Sequence, residues 1–138
     1  MVIKAHTVFA GKAEGEAVVH KGPFSFLGDL DPITGRICVH RHPLEGKSIV
    51  GKVFVFTTGK GSSGGDATAW KAKQNGNVPA AIICLESEPI LSGAVIATQI
   101  PTVDQPEENV FELIHTGDYV RIDATSGTIE IIQHNSGE

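Results

Sequence analysis

One short stretch of the chain combines a cation, two hydroxyl groups and unhindered backbone. Residues 59–64 read Gly-Lys-Gly-Ser-Ser-Gly and follow an apolar run at residues 53–56. A lysine ammonium attracts anions, glycines let a ligand approach backbone N–H groups, and a serine hydroxyl can exchange a proton with a bound substrate. A cation and a helix N-terminus stabilise the alkoxide form of serine, so the form that can accept a proton costs less to make. The stretch therefore predicts an anion-binding and catalytic turn.

Three other interpretations of the same residues have to be compared with this one. The glycines satisfy the Gly-x-Gly-x-x-Gly fingerprint of dinucleotide sites, but too few β-α units follow to build a dinucleotide-sized sheet. A mononucleotide P-loop requires Gly-Lys-Ser/Thr, and here Lys60 precedes the serines at the wrong spacing. Helix capping by Ser62 or Ser63 explains one serine, but not two that are flanked by glycine on both sides. The dinucleotide and capping interpretations stay open, and the catalytic turn is favoured.

The elements expected to position this stretch form a β-α-β unit. Four apolar residues in a row at 53–56 predict a strand covered on both faces. Residues 63–74 lose the strand period and end at Asn-Gly-Asn, which predicts a helix in which Trp70 is a packing residue. A second buried strand follows at residues 80–85. Such a unit places its turn at the carboxyl ends of the parallel strands, where ligands commonly bind.

The rest of the chain is rich in short strands and turns. Apolar β-type segments are expected at residues 7–9, 16–20, 24–27, 100–103, 119–122 and 128–132, with a hairpin tip at 31–35 and helices at 89–97 and 107–114. Because strand-only segments occupy both ends of the chain, the sequence predicts an α/β fold of the three-layer sheet, sheet, helix type, with mixed sheets and two or three helices. We expect one domain over residues 1–138, with a frayed tail at 133–138.

Composition excludes several classes of partner. The chain has 138 residues and a formal net charge of −5, with no basic stripe, so we expect no nucleic acid and no anionic membrane surface as partner. It contains no apolar run of bilayer length, and its first residues lack the pattern of a secretion signal. These features predict a cytoplasmic protein.

The cysteines and histidines do not predict a metal site within this chain. Cys38 and Cys84 are its two cysteines, too few for the usual four-cysteine iron–sulfur or zinc site, so we expect free, largely buried thiols. His40 and His42 would share one face of a strand and could form half of a metal site, but no third ligand lies nearby in the sequence. A surface or subunit-interface position is favoured for both histidines.

Several motifs together resemble the small, swivelling-domain subunit of aconitase X. They occur in the same order over nearly the whole chain: "GKAEGEAVV" at 11–19, "FSFLGDLDPITGRI" at 24–37, "HPLEGKSIVGKVFVF" at 42–56, "GKGSS" at 59–63, "GNVPAAIIC" at 76–84 and "TGDYVRIDATSGTIEI" at 116–131. No single glycine pattern carries the resemblance.

The resemblance implies a swivelling β/β/α domain that closes over the active site of a separate large subunit of the aconitase type. That subunit would hold an iron–sulfur cluster, whose iron acts as Lewis acid on the leaving hydroxyl, so this chain would be active only with it. Members are hydro-lyases in which the first serine of the Gly-Lys/Arg-Gly-Ser motif removes the proton, and by position this is Ser62. The neighbouring residues would bind a small anionic hydroxy acid, namely Lys60, Gly61, Ser63 and Gly64.

Two substrates are associated with the family, cis-3-hydroxy-L-proline and mevalonate 5-phosphate. The "RHPLEG" element at residues 41–46 is more similar to the bacterial members, so the expected substrate is of the cis-3-hydroxy-L-proline type, with mevalonate 5-phosphate as the alternative. The chain departs from the family at Asp66, where relatives commonly have serine. A carboxylate there would repel an anionic substrate unless it pairs with Lys60 or with a cation of the partner.

A non-catalytic carrier or binding domain is the alternative from another class. The segment "GDYVRIDATSGTIEI" is similar to the swivelling phosphohistidine domains of phosphotransfer enzymes, which carry a histidine in their glycine-rich turn. Residues 59–70 of this chain contain no histidine. The enzyme-subunit interpretation is therefore favoured over the carrier.

Overall fold

The computed structural model describes residues 2–39, 42–60 and 65–134, and of Gly65 and Asp66 it describes the backbone alone. In chain order the elements are β1 (Val2–Lys4), β2 (His6–Phe9), β3 (Lys12–Val19), α1 (Phe26–Asp29), β4 (Leu30–Asp31), β5 (Arg36–Ile37), β6 (Val53–Thr58), α2 (Gly65–Gln74), β7 (Ala81–Glu86), α3 (Pro89–Thr98), β8 (Thr102–Asp104), α4 (Val110–Leu113), β9 (Tyr119–Asp123) and β10 (Thr128–Gln133). None of the helices in these ranges combines the length and the apolar character that a membrane crossing requires.

The sheet confirms the mixed α/β architecture. Eight strands follow the order β1-β10-β9-β3-β6-β7-β8-β2, and β3, β6, β7 and β8 are parallel neighbours while the other pairs are antiparallel. The outermost strands β1 and β2 are separated in sequence by Ala5 alone, so the two edges of the sheet meet and the sheet curls round on itself. The two halves of the curled sheet and the helices α2 and α3 form the three layers.

Strand β6 shows how one apolar run serves two cores. Successive side chains of a strand point to opposite faces. Val53 and Val55 therefore pack with Ile83 inside the curled sheet, whereas Phe54 and Phe56 pack in the layer beneath α2 and α3. All of these side chains are fully buried. The prediction of a strand covered on both faces is confirmed.

The segment at residues 24–27 does not form a strand of the main sheet. Phe24 makes one parallel bridge to Gly59, and the chain then turns into the short helix α1. Gly28 has a φ of 97° within this turn, a conformation that favours glycine. The carboxylate of Asp29 accepts a hydrogen bond from the N–H of Ser25 at 2.9 Å and closes the turn. The hairpin tip expected at residues 31–35 is present between β4 and β5.

The carboxyl-terminal half differs from the sequence expectations at two ends. The helix expected over residues 107–114 is limited to α4, because Asn109 already caps it by accepting from the N–H of Phe111 at 3.1 Å. Gln133, which was expected to belong to a frayed tail, pairs with Tyr119 in β10. Residues 135–138 lie outside the described residues.

Two side-chain positions also differ from expectation. Trp70 was predicted to pack in the core, but it is 51% exposed, and α2 instead buries the small residues Ala69 and Ala72. Cys84 is buried as expected, whereas Cys38 is exposed, and both are free thiols.

Candidate active site

The glycine-rich loop, residues 59–64, connects strand β6 to helix α2 in the predicted β-α-β unit. Strand β6 ends at Thr58, α2 begins at Gly65, and β7 runs parallel to β6, so the loop lies at the carboxyl edge of the parallel strands. Four of the five predicted site residues lie outside the described residues, namely Gly61, Ser62, Ser63 and Gly64. The fifth, Lys60, is described, and it defines the entrance of the loop.

Residues 22–24 run beside the end of β6 and hold the entrance of the loop by backbone hydrogen bonds. The N–H of Phe24 donates to the carbonyl of Thr58 at 2.9 Å, and the N–H of Thr57 donates to the carbonyl of Gly22 at 3.0 Å. The ring of Phe24 packs edge-on against Phe54, with the centroids 4.9 Å apart. The loop therefore leaves the sheet from a fully packed position.

Lys60 is paired with a buried carboxylate. Its Nζ lies 2.8 Å from Oδ2 and 3.0 Å from Oδ1 of Asp29. The Asp29 side chain is only 5% exposed, whereas that of Lys60 is 39% exposed. An ammonium group has three N–H donors, so Lys60 can bind Asp29 and still present a donor to solvent or to a ligand.

Asp29 belongs to this site but is not among the residues that the sequence patterns predict. Its signal is an acidic residue inside the apolar stretch "FSFLGDL", which requires a partner if the segment is buried. Lys60, the residue with which Asp66 could pair, contacts Asp29. The side chain of Asp66 is not among those described.

Glu88 is a second acidic residue at this edge of the sheet. It caps α3, and its carboxylate oxygens accept hydrogen bonds from the N–H groups of Leu91 at 2.7 Å and Ile90 at 2.9 Å. The same carboxylate lies against Gly59, where a Cβ would overlap Glu88 Oε1. Gly59 is therefore needed for close contact between the loop entrance and the start of α3.

We expect Gly59→Ala to lower the free energy of unfolding by about 1 kcal/mol, because the new methyl group displaces Glu88 from its cap. Glu88→Ala should cost a similar amount. The double variant should cost no more than Glu88→Ala alone, since the methyl group then meets no carboxylate. Urea denaturation of the three variants and the wild type measures this coupling. Additive losses would show that Gly59 does not act through Glu88.

Two histidines lie close to the Lys60–Asp29 pair. The rings of His20 and His42 are 4.3 Å apart between centroids. Partial burial lowers the pKa of His20, with a further contribution from His42, while the charges of Asp29 and Lys60 also act on it. His42 begins a turn, in which its carbonyl accepts from the N–H of Glu45 at 3.0 Å, and His40 lies outside the described residues. His42 Nδ1 accepts from the N–H of Leu44 at 2.9 Å. These effects favour the neutral form of His20 beside the loop entrance.

Comparison with known proteins agrees with this architecture. The family model of the aconitase X swivel domain matches residues 2–131. The phosphomevalonate dehydratase small subunit of Methanosarcina acetivorans is 44% identical over 131 residues, which cover 95% of this chain and 91% of that protein. The protein of the same name from Thermococcus kodakarensis is 41% identical over 133 residues, with 96% and 98% coverage.

A solved structure gives the same result at the level of the fold. The crystal structure of Thermococcus kodakaraensis aconitase X in its holo-form matches with a TM-score of 0.91 at 41% identity, covering 96% of this chain and 99% of that chain. Sequence motifs, topology and these similarities agree over nearly the whole length. The chain therefore belongs to the aconitase X swivel domain family, as the small subunit of an aconitase X-type dehydratase.

Proposed function

We propose that this chain, together with a large aconitase-type subunit, dehydrates mevalonate 5-phosphate. The observation that carries the proposal is the match to proteins named phosphomevalonate dehydratase small subunit, which are 41–44% identical and align over almost their full length. These relatives favour the alternative substrate of the sequence analysis over the cis-3-hydroxy-L-proline type. The short "RHPLEG" element was therefore a weaker guide to the substrate than similarity along the whole chain.

The helix termini at the loop edge support binding of an anionic substrate. A helix N-terminus attracts negative charge through its free N–H groups. At α3 these groups are already taken up by the carboxylate of Glu88. Residues 61–64, which precede α2, contain no acidic side chain that could do the same. In this proposal the start of α2 and the ammonium of Lys60 bind a substrate phosphate or carboxylate, while the carboxylate of Asp66 in the first turn of α2 pairs with a cation of the large subunit.

In this proposal Ser62 accepts the proton that is lost together with the hydroxyl group. Dehydration removes a hydroxyl from one carbon and a proton from its neighbour, which leaves a carbon–carbon double bond and one water. Ser62 would act as its alkoxide, which the partial positive charge at the start of α2 and the charge of Lys60 stabilise, and this alkoxide becomes a neutral hydroxyl when it takes the substrate proton. Gly61, Ser63 and Gly64 would bring backbone N–H groups and a second hydroxyl to the anionic part of the substrate.

The residues of this chain do not fit an iron–sulfur cluster. Clusters are held by several thiolates. Cys84 is buried, and this burial raises the pKa of its thiol to about 12. Cys38 belongs to another part of the fold, and partial desolvation of its sulfur and the charge of Asp31 raise the pKa of its thiol as well. We therefore assign the cluster that the family resemblance implies to the large subunit, and this chain supplies no ligand to it.

The test uses the chain assembled with its own large subunit. Initial rates of water loss are measured by mass spectrometry for mevalonate 5-phosphate, for mevalonate and for cis-3-hydroxy-L-proline. We expect kcat/KM to be at least about 100-fold higher for mevalonate 5-phosphate than for either other compound, because a site with polar groups matched to a substrate group discriminates strongly against its absence.

Each compound tests one part of the proposal. Mevalonate lacks only the phosphate, so equal turnover of mevalonate and its phosphate would contradict the phosphate site. Faster turnover of cis-3-hydroxy-L-proline would restore the preference drawn from residues 41–46 and overturn the proposed substrate. Activity of this chain without the large subunit would contradict the two-subunit assignment.

A further inference from the structure

A cluster of three side chains with metal-binding atoms lies away from the glycine loop, at the open end of the β9–β10 hairpin. His115 and Asp118 precede β9, and His134 follows β10. These residues are neighbours because β9 and β10 are antiparallel and Tyr119 pairs with Gln133. Nδ1 of His134 lies 3.0 Å and Nδ1 of His115 3.8 Å from Oδ2 of Asp118. One ligand atom from each residue lies within 4.8 Å of the others.

Asp118 is the rigid member of the cluster. Its side chain is 2% exposed, and its Oδ2 accepts from the N–H of His115 at 2.9 Å. Its own carbonyl accepts from the N–H of Ala17 at 2.7 Å, which ties the turn to β3. The side chains of His115 and His134 are 67% and 63% exposed, so both rings can adjust on the solvent side of a fixed carboxylate.

We propose that His115, Asp118 and His134 form a binding site for a divalent transition-metal ion of the zinc class. Imidazole nitrogens combined with one carboxylate oxygen are a ligand set that Zn²⁺ binds readily, whereas Mg²⁺ and Ca²⁺ prefer oxygen ligands alone. Two ligands about 2.0–2.1 Å from a tetrahedral zinc ion are about 3.3 Å apart. The distances of 3.0 and 3.8 Å lie on either side of that value. Water can complete the coordination from the exposed side.

A second histidine–carboxylate pair shows what distinguishes the cluster. Nδ1 of His6 lies 2.7 Å from Oδ1 of Asp104, which is buried like Asp118. There the other carboxylate oxygen accepts from the hydroxyl of Ser87 at 2.8 Å, and no second histidine was found near it in the described part of the chain. The His6 pair therefore offers two ligands instead of three and serves as a matched control.

A bound ion would connect the turn before β9 to the end of β10. It would close the open end of the hairpin and hold the chain where it leaves the sheet. Binding to the folded state alone raises the free energy of unfolding in proportion to the logarithm of metal concentration above Kd. The site is thus expected to be structural, and its occupancy can be measured without any assay of dehydration.

The test uses the full, untagged chain after dialysis against a chelator. Titration calorimetry with Zn²⁺ should give one ion per chain, and Co²⁺ should give a visible absorption band of a four- or five-coordinate site. We expect His115→Ala and His134→Ala each to weaken Zn²⁺ binding by at least about 10-fold. His6→Ala should bind as the wild type does. Added Zn²⁺ should raise the Tm of the wild type and of His6→Ala, and raise it much less in the other two variants.

Because both rings are exposed, His115→Ala and His134→Ala should fold normally, and circular dichroism checks this. Absence of saturable binding to the wild type overturns the proposal. So does binding that survives in His115→Ala and His134→Ala, or binding that His6→Ala weakens as strongly as they do. Failure of the metal site leaves the dehydratase proposal untouched, since the two rest on different residues and different readouts.

Discussion

Replacing Ser62 by alanine should lower kcat of the assembled dehydratase by about 100-fold or more, which is the usual contribution of a positioned proton-transfer group. Alanine removes the hydroxyl that is proposed to accept the substrate proton and changes little else in a glycine-rich turn. Substrate binding should be affected much less, because the anion is proposed to bind to Lys60 and to backbone N–H groups. Steady-state kinetics with mevalonate 5-phosphate separate the loss in kcat from any change in KM.

Two serine variants serve as controls for this experiment. Ser63→Ala should mainly raise KM, because Ser63 is assigned to substrate binding. Ser126→Ala should leave both constants unchanged, since Ser126 lies in the exposed β9–β10 turn, at the end of β9 that pairs with the start of β3. Unchanged kcat in Ser62→Ala, or a larger loss of kcat in Ser63→Ala, would remove Ser62 as the proton acceptor.

Lys60→Met should lower the free energy of unfolding by about 3 kcal/mol, because it leaves the buried carboxylate of Asp29 without its counter-charge. Within the described residues, that carboxylate also accepts a hydrogen bond from the N–H of Ser25. The double variant Lys60→Met/Asp29→Asn should recover most of the loss, since an amide oxygen still accepts from Ser25 and carries no charge. Urea denaturation of the full chain measures these differences.

An exposed ion pair provides the control for this prediction. Lys52 Nζ lies 3.0 Å from Glu16 Oε1, with the two side chains 32% and 56% exposed. Lys52→Met should cost less than about 1 kcal/mol, because solvent compensates an exposed carboxylate. Equal losses for Lys60→Met and Lys52→Met would contradict the assignment of Asp29 as a buried, charge-compensated group. In the assembled enzyme, Lys60→Met should also raise KM for mevalonate 5-phosphate.

The β-α-β unit was predictable because its signals are local. The apolar runs at residues 53–56 and 80–85 are longer than a strand with one solvent-facing side allows, and glycines mark the turn between the first strand and the helix. Helix ends were less predictable, since a single capping side chain such as Asn109 decides where α4 begins. The exposure of Trp70 could not be predicted, because the weak amphipathic pattern of α2 does not identify which face of the helix is buried.

The paired residues of the site could not be predicted in the same way. Asp29 and Lys60 are 31 positions apart, and they meet because the chain bridges to Gly59 at Phe24 and then turns at Gly28, which has a positive φ. His134 approaches Asp118 through the pairing of β9 with β10, whereas His115 shares a local turn with Asp118. Contacts of this kind depend on the three-dimensional path of the chain and leave no periodic signal.

The sequence by itself determined the family, the β-α-β unit and the glycine-rich turn with its serine pair, because these rest on residue type and short spacing. Only the tertiary structure decided that Lys60 is paired with Asp29 and that the carboxylate of Glu88 caps α3. It also decided that two histidines lie beside the buried carboxylate of Asp118 at the open end of the β9–β10 hairpin. The physical reason is that charge compensation and hydrogen bonding act between atoms a few ångströms apart, whatever their separation along the chain.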